Sequence, residues 1–173
     1  MSEKNTAKTA LEDWIGSVLP ILDSSLDAVA VVDSTNGIYY ANSAMKSLLK
    51  LRPTDLKLHK KFCDCITLSL CEKKCQIMLM LESGKSFRFD ESPSTLPCGP
   101  DPAKLRVSIR GVAVNYGSEN KKGGAIGGVV TLRDTSAEIL VQAKYHKLAQ
   151  MVEERDAHIE ELRKLNAILR RKI

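Results

Sequence analysis

The sequence is poor in aromatic residues (5%), with one tryptophan, Trp14, and it holds only three histidines. Two of these, His146 and His158, fall in a charged helical stretch near the end, so general-base catalysis lacks its usual group. No spacing suggests a Ser/His/Asp arrangement or a paired-carboxylate site, and the expectation is a chain that is not an enzyme. No Gly-rich phosphate loop is present, because Gly123-Gly124 and Gly127-Gly128 sit in or beside a strand-turn-strand pattern. No apolar run approaches the roughly 20 residues of a membrane span. Met-Ser-Glu-Lys-Asn at the start lacks the apolar core of a secretory signal, so a cytoplasmic, reducing setting is expected. In that setting five cysteines do not read as a disulfide framework. The net charge of +5 is modest, and basic residues cluster only at Lys57, Lys60, Lys61 and at Arg170, Arg171, Lys172. Both clusters read as solvated surface, so no direct nucleic-acid contact is expected.

What is present is enough apolar residue (43%) for one packed domain, and a long helical pattern beyond it. The expected division is 1–18 as an amphipathic helix with a flexible start, 19–134 as the folded domain and 135–173 as a signalling helix. Leu11, Trp14, Ile15, Val18, Leu19 and Leu22 recur at helical spacing, with Pro20 expected to kink or break the helix. Ala28 to Asp33 reads as a short buried strand, Ser34-Thr35-Asn36-Gly37 as a turn, and Ile38 to Ala41 as the return strand. Asn42 or Ser43 can cap a following helix. Asp55 to Leu81 reads as short helices and loops, with Gly84 as a helix stop. Ser86 to Glu91 alternates as a half-buried strand, Ser92 to Pro102 reads as a Pro-rich loop, and Leu105–Asn115 and Ala125–Arg133 read as two long strands joined by 116–124. This order predicts an α+β domain with a five-stranded antiparallel sheet and helices on one face, leaving a pocket between helices and sheet.

The helical stretch carries a heptad without Pro or Gly. Position a is Tyr145, Val152, Ile159, Asn166 and Ile173, and position d is Val141, Leu148, Arg155, Leu162 and Leu169. β-branched residues at a with Leu at d favour a parallel two-stranded coiled coil, and Asn at a suits it because two facing amides can bond each other. Arg155 is a defect that loosens the seam locally. The pattern runs to the last residue, which suggests an output domain beyond it.

Cys63, Cys65, Cys71 and Cys75 fall within thirteen residues. Cys71 and Cys75 share one face if helical, and Cys63 and Cys65 suit an extended or looped approach from the other side. Four thiolates could converge on zinc or an iron–sulfur cluster, with Lys57, Lys60, Lys61, Lys73 and Lys74 offsetting the charge. Two other readings stand: thiols that fill core space as small hydrophobes, and a reversible thiol switch without metal. Cys98 is a weaker fifth candidate. His59 could ligate haem in principle, but one histidine beside lysines reads as surface.

Several local patterns resemble PAS domains. Leu22-Asp23-Ser24-Ser25-Leu26-Asp27-Ala28 resembles the family's approach to its first strand, and Asp33, Gly37, Ile38, Asn42, Ala44 and Leu48 fall where PAS sequences commonly have such residues. Arg133-Asp134-Thr135-Ser136-Ala137-Glu138 resembles the family's exit into a signalling helix, with Ser136 in place of the usual Thr. Cys71-x-x-x-Cys75 before an apolar helix and Gly84 looks like Cys-rich PAS domains of some bacterial regulators, which implies a redox role. The Asn-Cys-Arg flavin-adduct motif of photosensory PAS domains is missing. Asp134, Thr135, Ser136 and Glu138 form the expected signal junction, with Thr135 and Glu138 spaced as a capping box. The resemblance implies a homodimeric sensor of redox state or a small ligand that transmits through its coiled coil to an output domain or partner protein. The alternative is a ligand-free scaffold that only dimerises and recruits a partner.

Overall fold

The structure is a computed structural model that describes residues 3–71, 75–97, 103–115 and 125–170, with side chains described throughout these ranges except at 3–8, 70, 103, 165, 168 and 169. The chain divides into two compact units, Met1–Thr135 and Ser136–Ile173.

In the first unit, α1 (Glu3–Ser24) is followed by β1 (Ala28–Asp33), β2 (Ile38–Ala41), α2 (Ser43–Leu48) and α3 (Pro53–Lys57). Two short 3-10 turns, Phe62–Asp64 and Ser69–Cys71, flank β3 (Thr67–Leu68). Then come α4 (Gln76–Ser83), β4 (Phe87–Leu96), β5 (Ala103–Val114) and β6 (Gly127–Asp134). The sheet is antiparallel throughout, in the order β2-β1-β6-β5-β4-β3.

The sheet has six strands where the sequence predicted five, because Thr67 and Leu68 pair with Thr95 and Ser94 inside a segment expected to hold only helices and loops. Two residues are too few to show an alternating pattern, so only their partner reveals them. β4 also runs on through Ser92–Leu96, where a Pro-rich loop was expected. Glu91 takes φ +57 at an irregularity between Phe89 and Ser92, and Pro93 sits just beyond the two residues that β3 covers. A proline without an amide hydrogen is tolerated on such an open edge.

β1 is buried at five of its six positions because both sheet faces are covered there. Ala28, Ala30 and Val32 point into the main core with Met45, Phe62, Ile77, Met80, Ile109 and Leu132. Val31 points the other way and packs on Leu11 and Ile15 of α1, flanked by Trp14, Leu22, Tyr39 and Tyr40. Helices therefore cover both faces and not one, a correction that follows from the period-2 alternation of a strand. α1 continues through Pro20. The carbonyl that loses its helical partner there is that of Gly16, which is exposed and open to water.

Asn42, fully buried, caps α2. Its Oδ1 accepts from the amides of Met45 (2.9 Å) and Val29 (3.0 Å), and its Nδ2 donates to the carbonyls of Asp27 (2.9 Å), Leu22 (3.2 Å) and Ser25 (3.3 Å). One side chain so fastens the end of α1, the start of β1 and the start of α2.

The second unit is one helix, α5 (Ser136–Arg170), about 50 Å long. Of the heptad residues, Val141, Tyr145, Leu148, Val152, Arg155, Ile159, Leu162 and Asn166 are all exposed in the single chain. The Leu169 side chain and Ile173 lie outside the described residues. Arg155 pairs with the adjacent Asp156 at 3.1 Å. Among the described residues, no helix is long and apolar enough to cross a membrane.

Candidate metal and thiol site

The site is built on the β1–β2 turn. Asp33 Oδ1 accepts from the amides of Thr35 (2.8 Å) and Gly37 (2.9 Å) and from the Thr35 hydroxyl (2.7 Å), which folds the turn over its own carboxylate. Asn36 then takes the left-handed conformation, φ +67, which asparagine tolerates better than most residues. The segment after α3 lies against this turn: the Ile38 amide donates to Lys60 O and the Phe62 amide to Asn36 O, both at 2.9 Å. Gly37 permits the approach, since a Cβ there would meet His59 O at 3.0 Å. Phe62, with no exposed surface, anchors the first 3-10 turn in the core and so sets the position of Cys63. Cys71 ends the second 3-10 turn. Cys75 is the N-cap residue of α4, a helix fixed by the buried side chains of Ile77, Met80 and Leu81 and closed by Gly84 at φ +68.

These elements bring the sulfurs of Cys63, Cys71 and Cys75 within 4.8 Å of one another. Cys63 Sγ and Cys75 Sγ are 3.0 Å apart. All three residues are half-buried. Asn36, only 4% exposed, aims its Nδ2 at Cys63 Sγ (3.2 Å) and more distantly at Cys75 Sγ (3.9 Å). Its Oδ1 is buried and has no hydrogen-bond partner among the described residues. Hydrogen bonds from Cys63 and Cys71, then the amides of Met78 and Ile77 in the first turn of α4, hold the Cys75 thiol far below its ordinary pKa. Hydrogen bonds to Cys71 and Cys75, with burial, push Cys63 up. For Cys71 the bond to Cys63 pulls down, but the bond to Cys75 and burial outweigh it and the thiol is raised.

Cys65 does not join the other three. It is 1% exposed and its thiol donates to Lys61 O at 3.5 Å, so the four-cysteine set reduces to three. It follows the 3-10 turn that carries Cys63 and lies on its core side, in a segment the sequence read as short helices and loops. Cys98, Lys73 and Lys74 lie outside the described residues. Lys60 lies 4.0 Å from Asp55, and Lys57 and Lys61 are exposed. His59 is exposed and tilts its ring against Tyr39, centroids 5.2 Å apart. Asn36 is the site residue that sequence reasoning missed: it read as a turn former, and nothing in its spacing ties it to cysteines 27 and 39 residues away.

Three soft sulfur donors suit a thiophilic ion. Two thiolates on one tetrahedral zinc, each about 2.3 Å from the metal, stand roughly 3.7 Å apart. The sulfurs here all lie within 4.8 Å of one another, close enough for a single ion, with Cys63 and Cys75 parting slightly from 3.0 Å to accept it. A cubane cluster interposes several iron and sulfide atoms between its cysteine sulfurs and spreads them more widely than this trio.

At the exit from the sheet, Thr135 is tied back to β5: its amide donates to Arg106 O at 2.8 Å and its hydroxyl to the same oxygen at 3.1 Å. Asp134 closes β6 opposite Val107, Ser136 opens α5, and Glu138 lies in its first turn.

No family model matches the chain, and no curated protein matches it. Solved structures do resemble it. A PAS domain from a Colwellia psychrerythraea protein is 14% identical, with a TM-score of 0.52 over 72% of this chain and 98% of that one. The PAS domain of the fruit-fly ELK potassium channel is 15% identical, with a TM-score of 0.51 over 71% of this chain and 98% of that one. An RNA-binding Light-Oxygen-Voltage receptor is 15% identical, with a TM-score of 0.50 over 78% of this chain but 37% of that one. With its six-stranded antiparallel sheet in the order β2-β1-β6-β5-β4-β3 and α2, α3 and α4 on one face, the chain superposes on these domains over most of their length: it has the PAS fold.

Proposed function

We propose that the chain is a signal-sensing module and not an enzyme, in which Cys63, Cys71 and Cys75 hold a single thiophilic metal ion of the zinc class. The convergence of three sulfurs from three separate elements to within 4.8 Å carries this reading. A bound ion supplies charge that lets all three thiols ionise together, and it ties the two 3-10 turns to the start of α4. Asn36 connects that state to the sheet, because its side chain meets the sulfurs while its backbone holds the β1–β2 turn to Phe62. β1 lies beside β6, and β6 leads through Thr135 into α5. In this reading α5 pairs with the same helix of a second copy, as a parallel coiled coil whose rotation or register passes the signal to an output domain or partner protein. The heptad residues, exposed in the single chain, favour pairing over a lone helix.

The test is metal content after loading the reduced protein with zinc. One ion per chain is expected, with large loss in each of the Cys63→Ser, Cys71→Ser and Cys75→Ser variants and retention in Cys65→Ser. No tight ion in the parent, or equal loss across all four variants, would reject the assignment.

A further inference from the structure

The same trio has a geometry that metal binding does not need. Two sulfurs coordinated to one ion keep roughly 3.7 Å between them. Cys63 Sγ and Cys75 Sγ are 3.0 Å apart, closer than separate ligands stand, and about 1 Å from the length of a disulfide. Both residues are only half-buried, so a small oxidant can reach them. Cys63 sits on a 3-10 turn of three residues and Cys75 at the N-cap of α4, positions where the backbone can yield by that distance without unseating a strand. Asn36 Nδ2 points at both sulfurs, an arrangement that stabilises anionic sulfur and that a disulfide, a poor acceptor, does not satisfy.

We infer that Cys63 and Cys75 form a peroxide-responsive dithiol pair, whose closure to a disulfide is the regulatory state of this site; the inference rests on reading the trio as the sensing centre. A thiolate of the pair attacks one peroxide oxygen and breaks the O–O bond, giving a sulfenic acid and, with one proton taken up, water. The second thiol attacks the sulfenic sulfur, forms the S–S bond and releases the hydroxyl as a second water. The two sulfurs lose two electrons in total and hydrogen peroxide is reduced to two waters. Closure removes two of the three sulfurs from the ligand set, so the disulfide and the bound ion exclude each other. It also deprives the Asn36 side chain of its acceptor, and Asn36 is the turn residue whose carbonyl accepts from the Phe62 amide. Cys71, within 4.8 Å of both sulfurs, stands ready to reopen the bond by thiol exchange.

The experiment uses the full chain, reduced and freed of metal by chelation, then treated with stoichiometric hydrogen peroxide and alkylated before tryptic mass mapping. Lys73 and Lys74 separate the peptide with Cys63, Cys65 and Cys71 from the peptide with Cys75. The expected product is those two peptides joined, with fragment ions placing the bond at Cys63 and Cys75. The Cys65→Ser variant should give the same joined pair, and Cys63→Ser should lose that bond. A second sample, loaded with zinc before peroxide, should release its ion in step with disulfide formation. Reduced thiols after excess peroxide, a bond between chains, or a bond placed at Cys65 would overturn the inference. Because the metal-free sample needs no ion, a protein that forms the disulfide but never binds zinc keeps this inference and loses the metal assignment. A protein that binds zinc yet stays reduced when stripped does the reverse.

Discussion

Replacing Asn42 with alanine should destabilise the first unit by about 3–4 kcal/mol. The magnitude follows from its five hydrogen bonds. Loss of the cap on Met45 costs about 1 kcal/mol. The amide of Val29 would be left buried without its side-chain acceptor, at about 1–3 kcal/mol. The side chain has no exposed surface, so its removal also leaves a small void. The carbonyls it serves belong to exposed Asp27 and half-buried Leu22 and Ser25, close enough to the surface to reach water, so they add little. The Asn42→Asp variant separates acceptor from donor roles. It keeps an oxygen for Val29 and Met45 but sets its second, charged oxygen against the carbonyls of Asp27, Ser25 and Leu22. Its folded carboxyl pKa should therefore lie above the unfolded value, so the variant loses stability as pH rises through that folded pKa and recovers it in acid. Urea unfolding with a constant slope measures both variants, with Ser43→Ala, an exposed neighbour, as control within about 0.5 kcal/mol of the parent. A loss below about 1 kcal/mol for Asn42→Ala, or an Asp variant as stable as the parent at neutral pH, would refute the reasoning.

Gly111→Ala should cost about 1–3 kcal/mol, since the added carbon would fall 2.3 Å from the Phe87 ring and 2.7 Å from Met80 Sδ; an unchanged melting temperature would show that both side chains move freely aside. Burial first, then the hydrogen bond to Glu12, raises the Tyr39 pKa to about 12 from its ordinary 10.0. The folded state so holds its phenol proton longer than the unfolded state, and stability should fall as pH rises from 10 to 12, a slope that Tyr39→Phe should flatten in alkaline denaturation curves. Light scattering should give twice the chain mass, with weaker association after truncation at Glu138; a micromolar monomer would remove the paired-helix reading. Asn166→Leu should raise the melting temperature of that assembly and mix its oligomeric states, which analytical ultracentrifugation reads directly.

The sequence alone determined the features that a local pattern can carry. The run Ala28 to Asp33, the Asn-Gly turn, the two long strands and the uninterrupted helix from Ser136 were legible because periodicity and turn chemistry act over neighbouring residues. The cap was narrowed to Asn42 or Ser43, and the structure has Asn42, whose amide accepts from Val29 and Met45 while donating to Leu22, Ser25 and Asp27. β3 was invisible, since its two residues are strand only in the company of β4. The placing of α1 on the far face depended on which side of β1 Val31 faces, a matter of packing and not of helical spacing. The thiol site shows the same division most sharply. Density of cysteine marked the segment, but the sequence could not tell Cys63 from Cys65 two residues on. The 3-10 turn seated on Phe62 makes that choice, sending Cys65 to the core and Cys63 to Cys75. Asn36 reaches the sulfurs only because the β1–β2 turn and the segment after α3 are hydrogen-bonded together, a long-range contact that no local pattern encodes.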